Sequence, residues 1–306
     1  MTSPRWTADD LPDMTGRTVV VTGANSGLGA IVARELARVG ARVVLAVRDV
    51  KRGERAAATM PGATEVRRLD LADLSSVRAF AAAWSGPLDV LVNNAGVMAL
   101  PERRTVDGFE MQLGTNHLGP FALTNLILEH VTDRVVTVSS FAHHYGEITF
   151  DDLNADRRYG RWSAYCQSKL ANLLFTLELQ RRLEAAGCDV SAHAAHPGYA
   201  ATNLQGHTTN VVDRLVMGVA NRVVAQRDEM GALPILYAAT QALPGASYSG
   251  PGGFQGMRGY PTVAARSAAA CDEETARRLW QVSEKLTGVT FPDALGRPDA
   301  RPLRGT

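Results

Sequence analysis

The sequence predicts an α/β fold, in which helices cover both faces of a parallel β-sheet. Short apolar runs alternate along the chain with stretches of helical length. The apolar runs are nearly continuous, which is typical of strands that are buried on both faces of a doubly wound sheet. The 306 residues contain no internal repeat and no linker that would divide them. We therefore expect a single domain over residues 1–306.

Six apolar runs are predicted to be strands, joined by right-handed crossovers. They are residues 17–23, 41–48, 63–71, 88–96, 134–140 and 189–198. The stretches between them are predicted to be helices over 28–40, 51–60, 74–84, 109–131 and 163–187. Residues 141–162 form a polar, aromatic loop, and residues 203–227 carry apolar side chains on one helical face. That face fits core, a lid or a partner surface, and we expect both segments to line a substrate pocket.

The composition excludes several classes of protein. The net charge is +1 and no long basic run occurs, which argues against a nucleic-acid partner. Cys166, Cys188 and Cys271 are scattered without CxxC spacing, so we expect neither disulfides nor a zinc site, and a reducing cytoplasmic location. No apolar run reaches the ~18 residues of a membrane span, and the polar first residues do not resemble a signal peptide or an anchor.

The first predicted strand runs into the glycine-rich turn TGANSGLG, residues 22–29. Gly23, Gly27 and Gly29 lie between a strand and a helix, where glycine permits positive φ and close approach of a phosphate to the backbone. This strand–turn–helix context is the one that a dinucleotide site requires. The spacing is GxxxGxG rather than GxGxxG, and a tight turn without a ligand is the alternative.

The end of the second predicted strand carries Arg48 and then Asp49. An acidic residue here usually binds the ribose hydroxyls of NAD, whereas an arginine can bind the 2′-phosphate of NADP. Arg48 comes first, and Lys51 and Arg52 add positive charge close by. We therefore predict NADP as the cofactor, with NAD as the alternative that Asp49 keeps open.

The stretch YCQSK places Tyr165 and Lys169 four residues apart in the predicted helix 163–187. Residues at this spacing share one helix face. Such pairs are common on helices, and the pair alone does not indicate chemistry.

Several motifs together resemble the short-chain dehydrogenase/reductase family. They are TGANSGLG (22–29), Asp70-Leu71, NNAG (93–96), Asn116 in TNHLGPF, Ser139-Ser140, YCQSK (165–169) and HPGYAAT (196–202). The stretches NHLGPF, SSFAHH, FDDLN and AYCQSKLANLLF resemble the retinol dehydrogenase-like branch of that family. The resemblance implies a Rossmann-type fold and an NAD(P)-dependent enzyme.

The resemblance implies four catalytic residues. Tyr165 would act as the general acid in carbonyl reduction and as the base in alcohol oxidation. Lys169 would lower the pKa of Tyr165 and hold the nicotinamide ribose. Ser140, the second serine of its pair, would stabilise charge on the substrate oxygen. Asn116 would hold a water in a proton relay behind Lys169.

The resemblance also implies the cofactor contacts. Asp70 would contact the adenine together with the backbone at Leu71, and Tyr165 and Lys169 would meet the nicotinamide half. The other implied contacts are Gly23, Asn25, Ser26, Gly27, Leu28 and Gly29 at the glycine turn, Asn94, Ala95 and Gly96 at the adenosine ribose, and Pro197, Gly198 and Thr202 at the nicotinamide end.

The chain departs from the common family pattern in the 25 residues that separate Ser140 from Tyr165. This insert is expected to form a wall of the substrate pocket. Its His143 and His144 lack a third ligand at metal spacing, and His196 is interpreted as structural, so we predict no metal site.

These observations predict an NADP(H)-dependent oxidoreductase that interconverts a carbonyl and an alcohol on a small or lipophilic molecule. A non-catalytic dinucleotide sensor or scaffold and a reductase of carbon–carbon double bonds are the alternatives. Relatives often pair through the helices that correspond to 109–131 and 163–187, which implies a homodimer or homotetramer. Burial of those helices in the core of one chain would explain the same apolar pattern.

Overall fold

The computed structural model describes residues 5–198, 228–253 and 256–296. Within these residues eight strands form one sheet in the order β3-β2-β1-β4-β5-β6-β7-β8. All neighbours pair in parallel except β7 and β8, which are antiparallel. The strands are β1 (Thr18–Thr22), β2 (Arg42–Val47), β3 (Thr64–Arg68), β4 (Leu88–Asn93), β5 (Val131–Val138), β6 (Ser191–Ala195), β7 (Tyr248–Pro251) and β8 (Pro261–Val263). The predicted doubly wound α/β sheet is confirmed.

Helices cover both faces of this sheet. They are α1 (Gly27–Arg38), α2 (Val50–Ala57), α3 (Leu74–Ala82), α4 (Met111–Leu113), α5 (Gly119–Ile127), α6 (Arg161–Ala185), α7 (Asp228–Thr240) and α8 (Glu273–Thr287). A π-helical turn, Gly114–Leu118, joins α4 to α5. The side chains of Asp49, Asp73 and Asp272 cap α2, α3 and α8 by accepting backbone N–H groups of the first turn.

The sheet separates two apolar cores, because successive side chains of a strand point to opposite faces. Val19 and Val21 of β1 belong to one core, together with side chains of α1 and α7. Val20 belongs to the other, which α3, α5, α6 and α8 cover. Strands that contribute to both cores need apolar residues at every position, which explains the continuous apolar runs in the sequence.

The C-terminal helix α8 packs across α5 and α6. The ring centroid of Trp280 lies 4.9 Å from that of Phe121 in α5 and 5.6 Å from that of Phe175 in α6. Every residue of α6 from Ala164 to Thr176 is buried within this one chain. The two helices that were expected to pair between subunits are therefore covered by the chain's own α8 along this stretch.

The element boundaries differ from the predicted ones where the chain turns into the site. The predicted strand 88–96 ends at Asn93, and the predicted strand 134–140 is β5, which ends at Val138. Residues beyond these ends leave the ladder because they make the hydrogen bonds of the site described below. The predicted helix 109–131 is interrupted by the π-helical turn and ends at Ile127. The segment 203–227 and Thr202 lie outside the described residues.

Among the helices in the described part of the chain, none combines the length and the apolar character needed to cross a bilayer.

Candidate active site

The predicted site residues converge at the C-terminal edge of the sheet. The strand order reverses between β1 and β4, which are hydrogen-bonded neighbours. Open α/β sheets bind ligands in the crevice outside such a reversal. The glycine turn follows β1, the NNAG turn follows β4, and Ser139-Ser140 follows β5.

Each glycine of the first turn has a separate structural reason. Gly23 and Gly27 have φ of +67° and +54°, which residues other than glycine rarely adopt. A Cβ on Gly29 would collide with Asn94 Nδ2 and the Gly23 carbonyl. A Cβ on Gly27 would meet nothing within 4 Å, so the surface above this turn is open.

The turns after β1 and β4 are tied together through Thr22. Its buried hydroxyl accepts the backbone N–H groups of Asn94 and Ala95 at 3.0 and 2.9 Å. The Asn94 side chain returns a bond from Nδ2 to the Thr22 carbonyl at 2.9 Å. Thr22 begins the TGANSGLG motif, but no role was predicted for its side chain. These bonds hold Asn94, Ala95 and Gly96 against the glycine turn.

The glycine turn fits a dinucleotide pyrophosphate. Ser26 precedes α1 without a side-chain cap, so its side chain does not satisfy the first N–H groups of this helix. These groups, at Gly27, Leu28 and Gly29, carry the positive end of the helix dipole beside the open surface above Gly27. Asn25 lies in the same turn. A dinucleotide would therefore place its phosphates over residues 23–29.

Asp49 and Arg48, the two candidates for binding the adenosine ribose, differ in their hydrogen bonds. Asp49 Oδ1 accepts the Arg52 N–H at 3.0 Å, which commits this oxygen to capping α2. Arg48 is exposed, and in the described ranges it has no ion-pair partner. Arg48 thus has the freer charged group at the end of β2.

The residues expected at the adenine follow β3. Asp70 Oδ1 accepts the Ala72 N–H at 3.0 Å, and the backbone N–H of Asp70 donates to Ser76 Oγ at 3.0 Å. Leu71 is buried, and its carbonyl lies so close to Gly119 that a Cβ there would collide with it. The loop is held rigidly at the same sheet edge as the glycine turn.

Pro197 and Gly198 follow β6, where the nicotinamide end is expected. Gly198 has φ of +70°, and its N–H donates to His196 Nδ1 at 3.3 Å. A Cβ on Gly198 would contact Pro251 and the Met257 carbonyl. The turn is therefore fixed against the segment after β7.

Tyr165 and Lys169 lie together in the buried part of α6. Lys169 Nζ is 5.7 Å from the ring centroid of Tyr165 and donates to the Val138 carbonyl at 3.1 Å. The same carbonyl accepts Asn172 Nδ2 at 3.0 Å. The shared acceptor fixes the ammonium at the end of β5.

The expected lowering of the Tyr165 pKa by Lys169 is wrong for the protein's own groups. Burial raises the pKa of Tyr165 to about 12, against an opposing side-chain hydrogen bond with Ser140. Burial also lowers the pKa of Lys169 to about 8. Desolvation opposes the charged form of both groups and is the largest cause of each shift.

Asn116 lies in the π-helical turn, with its side chain fully engaged. Its Oδ1 accepts the Val97 N–H at 2.7 Å, and its Nδ2 donates to the Val97 carbonyl and to Ser168 Oγ, each at 2.9 Å. The amide therefore ties the loop after β4 to α6. Pro120, four residues on, has no N–H to donate to the Asn116 main-chain carbonyl.

The two serines after β5 have different partners. Ser139 is buried, and its hydroxyl donates to the Lys169 carbonyl at 2.7 Å. Ser140 precedes the 3-10 turn Phe141–Tyr145 and accepts the Ala142 N–H on Oγ at 3.2 Å. The Ser140 side chain also interacts with the Tyr165 phenol, which opposes the rise in the pKa of Tyr165.

A cavity of about 190 Å³ lies behind the Ser140 turn. Its lining residues are Phe141, His143, His144, His196, Tyr248, Gly256, Ala264 and Ala265. Within the described ranges no three His, Cys, Asp or Glu side chains are grouped so that they could hold a metal ion. Tyr248 and the segment after β8 belong to no sequence motif, so their position at this cavity was not predicted.

Comparison with known proteins gives three kinds of match. The family model described as short chain dehydrogenase matches residues 17–212. The chain is 44% identical to retinol dehydrogenase 13 of Homo sapiens over 299 residues, which are 92% of this chain and 88% of that protein. It is 43% identical to retinol dehydrogenase 12 of Homo sapiens over 292 residues, 90% of this chain and 88% of that protein.

Two solved structures extend these matches. An uncharacterised protein from Mycobacterium paratuberculosis is 56% identical with a TM-score of 0.83, over 94% of this chain and 99% of that one. A Beutenbergia cavernae structure, described as an NAD(P)-dependent gluconate 5-dehydrogenase with bound NADP at low occupancy, is 29% identical. Its TM-score is 0.56, over 74% of this chain and 91% of that one.

The match of the family model and the identity to full-length relatives lead to one conclusion. The chain belongs to the short-chain dehydrogenase/reductase family of oxidoreductases and resembles its retinol dehydrogenase-like branch.

Proposed function

We propose that the protein is an NADP(H)-dependent oxidoreductase that interconverts a carbonyl and an alcohol. The observation that supports this most strongly is the convergence of Tyr165, Lys169 and Ser140 beside the glycine turn at one edge of the sheet. The names of the relatives, retinol dehydrogenases, agree with alcohol and carbonyl chemistry.

The proposed mechanism assigns one task to each side chain. A bound nicotinamide cofactor supplies or accepts the hydride. In reduction Tyr165 donates its phenolic proton to the carbonyl oxygen of the substrate. Ser140 donates its hydroxyl proton to the same oxygen, while its own oxygen accepts the Ala142 N–H. Lys169 would hold the cofactor ribose. It would also return a proton to Tyr165, which it receives from a relay water held at Asn116.

The bonds of Asn116 support a main-chain role in that relay. The side chain is occupied by Val97 and Ser168. The main-chain carbonyl lacks an α-helical N–H donor, because the residue four positions on is Pro120, and the turn is π-helical here. We therefore assign the binding of the relay water to this carbonyl.

The state of the acid supports reduction as the favoured direction. The pKa of Tyr165, raised to about 12, keeps the phenol protonated at neutral pH, as the acid of a carbonyl reduction must be. The reduced nicotinamide is neutral, so it adds no charge that would draw the proton off. Oxidation uses the positively charged nicotinamide, which favours the phenolate.

The walls of the site support a small or lipophilic substrate. Trp162 is 44% exposed, and its ring meets that of Tyr165 edge-on at a centroid distance of 6.3 Å. Tyr145 is 76% exposed and lies 6.2 Å from Phe141, which directly follows Ser140. These aromatic side chains belong to the insert or to the helix that follows it, so we propose that residues 141–162 line the substrate pocket.

The proposed preference for NADP depends on Arg48. We expect Arg48→Gln to weaken NADPH binding roughly tenfold to a hundredfold, because a charge-assisted hydrogen bond contributes about 1.5–3 kcal/mol. NADH lacks the 2′-phosphate, and its binding should change by less than about threefold. Fluorescence titration of the wild type and the variant with each cofactor measures both effects.

Arg55→Gln is the matched control, because Arg55 is an exposed arginine near the end of α2. It removes the same charge farther along α2 and should leave both affinities unchanged. Tighter NADH than NADPH binding in the wild type would show that Asp49 or a neighbour binds the ribose, and that the NADP proposal is wrong.

A further inference from the structure

His143 joins the turn of Ser140 to a distant segment of the chain. Its imidazole is 1% exposed. Nδ1 lies 2.8 Å from the Ser140 carbonyl, and Nε2 accepts the backbone N–H of Ser267 at 3.2 Å. Ser267 is 124 residues further along the chain and caps the 3-10 turn Ala268–Cys271.

The partners of the imidazole define its tautomer. A backbone N–H can only donate, so Nε2 must carry a lone pair. The Ser140 carbonyl can only accept, so Nδ1 must carry the proton. Burial lowers the pKa of His143 to about 4, which agrees with a neutral ring. Both nitrogens are thus used by the protein.

The far end of this link is anchored in the sheet. The Ala264 N–H donates to the Tyr248 carbonyl of β7 at 2.7 Å, three residues before Ser267. The Tyr248 ring meets the His143 ring edge-on at 5.4 Å between centroids. The imidazole is therefore held from two sides, and it transfers this rigidity to the Ser140 carbonyl.

The carbonyl matters because the Ser140 turn is short. The backbone bond from the His143 N–H to the same carbonyl, 3.1 Å, is the one local bond that closes the turn on Ser140. The second bond from Nδ1 fixes the peptide plane after Ser140 and hence the direction of its Cα–Cβ bond. The Ala142 N–H then sets the position of Oγ.

We propose that His143 is a positioning residue, which orients the Ser140 hydroxyl toward the substrate oxygen by bridging the Ser140 carbonyl to the Ser267 segment. The proposal rests on the proposed function, in which Ser140 contacts the substrate. It assigns to the C-terminal part of the chain a role in aligning a catalytic side chain that comes from β5.

A double-mutant cycle in kcat separates this role from general destabilisation. His143→Leu should lower kcat roughly tenfold with little change in the Kd for NADPH, and Ser140→Ala should lower it roughly 100-fold. If His143 acts through Ser140, adding His143→Leu to Ser140→Ala lowers kcat by less than about twofold further. A further tenfold loss in the double variant would overturn the proposal.

Two companion variants control the cycle. His143→Asn places an amide where Nδ1 lies, so it should recover part of the kcat that His143→Leu loses. His130→Asn changes a half-buried histidine directly before β5, at the opposite end of that strand from Ser140, and should keep wild-type kcat. Equal losses in the His143 and His130 variants would contradict a specific link to Ser140.

The tautomer tests the proposal without turnover. Among the neutral rings in the ¹H–¹⁵N spectrum of histidine side chains at pH 6, one with its proton on Nδ1 should be lost in His143→Leu. A proton on Nε2, or a charged ring, would overturn the bridge. Wild-type protein that shows this signal but reduces no carbonyl compound would disprove the proposed function and leave the bridge as an observed fact.

Discussion

Tyr165 and Lys169 lie near each other in α6, and burial opposes the charged form of both side chains. The pKa of the phenol is raised to about 12, and the pKa of the ammonium is lowered to about 8. The raised pKa suits Tyr165 to donate a proton, because the phenol stays protonated over the whole neutral range. The second shift places Lys169 where it can give up and regain a proton near neutral pH.

These shifts predict different pH profiles for the two directions of the reaction. Between about pH 6 and pH 7, kcat/KM for carbonyl reduction should be flat, because both the acid Tyr165 and Lys169 stay protonated. Alcohol oxidation needs the phenolate, so its kcat/KM should rise with pH over the same range. Initial rates with NADPH and with NADP measure the two profiles. Reduction that falls steeply above pH 6 would mean an acid of much lower pKa.

The C-terminal helix α8 is the element that completes the core beside the site. Trp280 stacks on Phe175 at an interplanar angle of 10° and donates from Nε1 to Glu284 at 2.7 Å. The Arg182 guanidinium of α6 lies 4.5 Å from the Trp280 ring centroid. His117 of the π-helical turn reaches Ser283 of α8 at 2.9 Å, which links α8 to the turn that holds Asn116.

Removal of the indole should therefore cost much of the stability. Trp280→Ala leaves a large cavity between α5, α6 and α8, and we expect a loss of about 3–5 kcal/mol in the free energy of unfolding. Urea denaturation measures the loss. The control is Trp162→Ala, since that indole is 44% exposed, and it should cost less than about 1 kcal/mol. Similar losses in both variants would contradict the packing role of α8.

The elements up to residue 198 could be predicted because each pattern there has a local cause. The glycine turn, for example, follows from positive φ at Gly23 and Gly27. α8 was missed although its Asp272 cap and its C-terminal Gly288 are local signals. β7 and β8 could not be predicted, because they are short and β7 is held by pairing with the distant β6.

The same reason explains which site residues were found. Ser140, Tyr165 and Lys169 belong to short motifs, and the structure brings them together. The partner of His143 lies 124 residues away, and no spacing rule reaches it. The pKa of Tyr165 was mispredicted because desolvation depends on the surrounding fold and not on the neighbour one helical turn away.

Within the described residues, four buried histidines are neutral in the native fold. Burial lowers the pKa of His117 and His196 to about 3, and of His143 and His193 to about 4. His143 and His196 line the cavity near the site, whereas His117 and His193 do not. Protonation of these four side chains would therefore affect the stability of the whole fold. α8 adds to this compactness by packing against both α5 and α6.

These histidines predict a loss of stability in mild acid. Below the unfolded pKa of about 6.5, the unfolded chain binds protons that the native chain does not, so stability falls as the pH falls toward 4. Each histidine contributes a slope of about 1.4 kcal/mol per pH unit in this window. Urea denaturation at a series of pH values from 7 to 5 measures the total slope.

His193→Gln is the variant for this test. His193 lies in β6, and its ring hydrogen-bonds a nearby residue, Ser191, at 2.9 Å. The variant should reduce the slope by about 1.4 kcal/mol per pH unit. A stability that stays constant from pH 7 to pH 5 would show that these side chains are protonated or accessible in the native state.

The measurement that tests the account most directly is turnover of a carbonyl substrate with NADPH by Tyr165→Phe, compared with the wild type. The variant removes one oxygen and should keep NADPH affinity within about threefold. We predict that kcat falls by roughly 10²–10⁴-fold, because the proton donor is gone while the hydride donor stays in place. A variant that binds NADPH and retains wild-type turnover would contradict the central claim that Tyr165 transfers the proton.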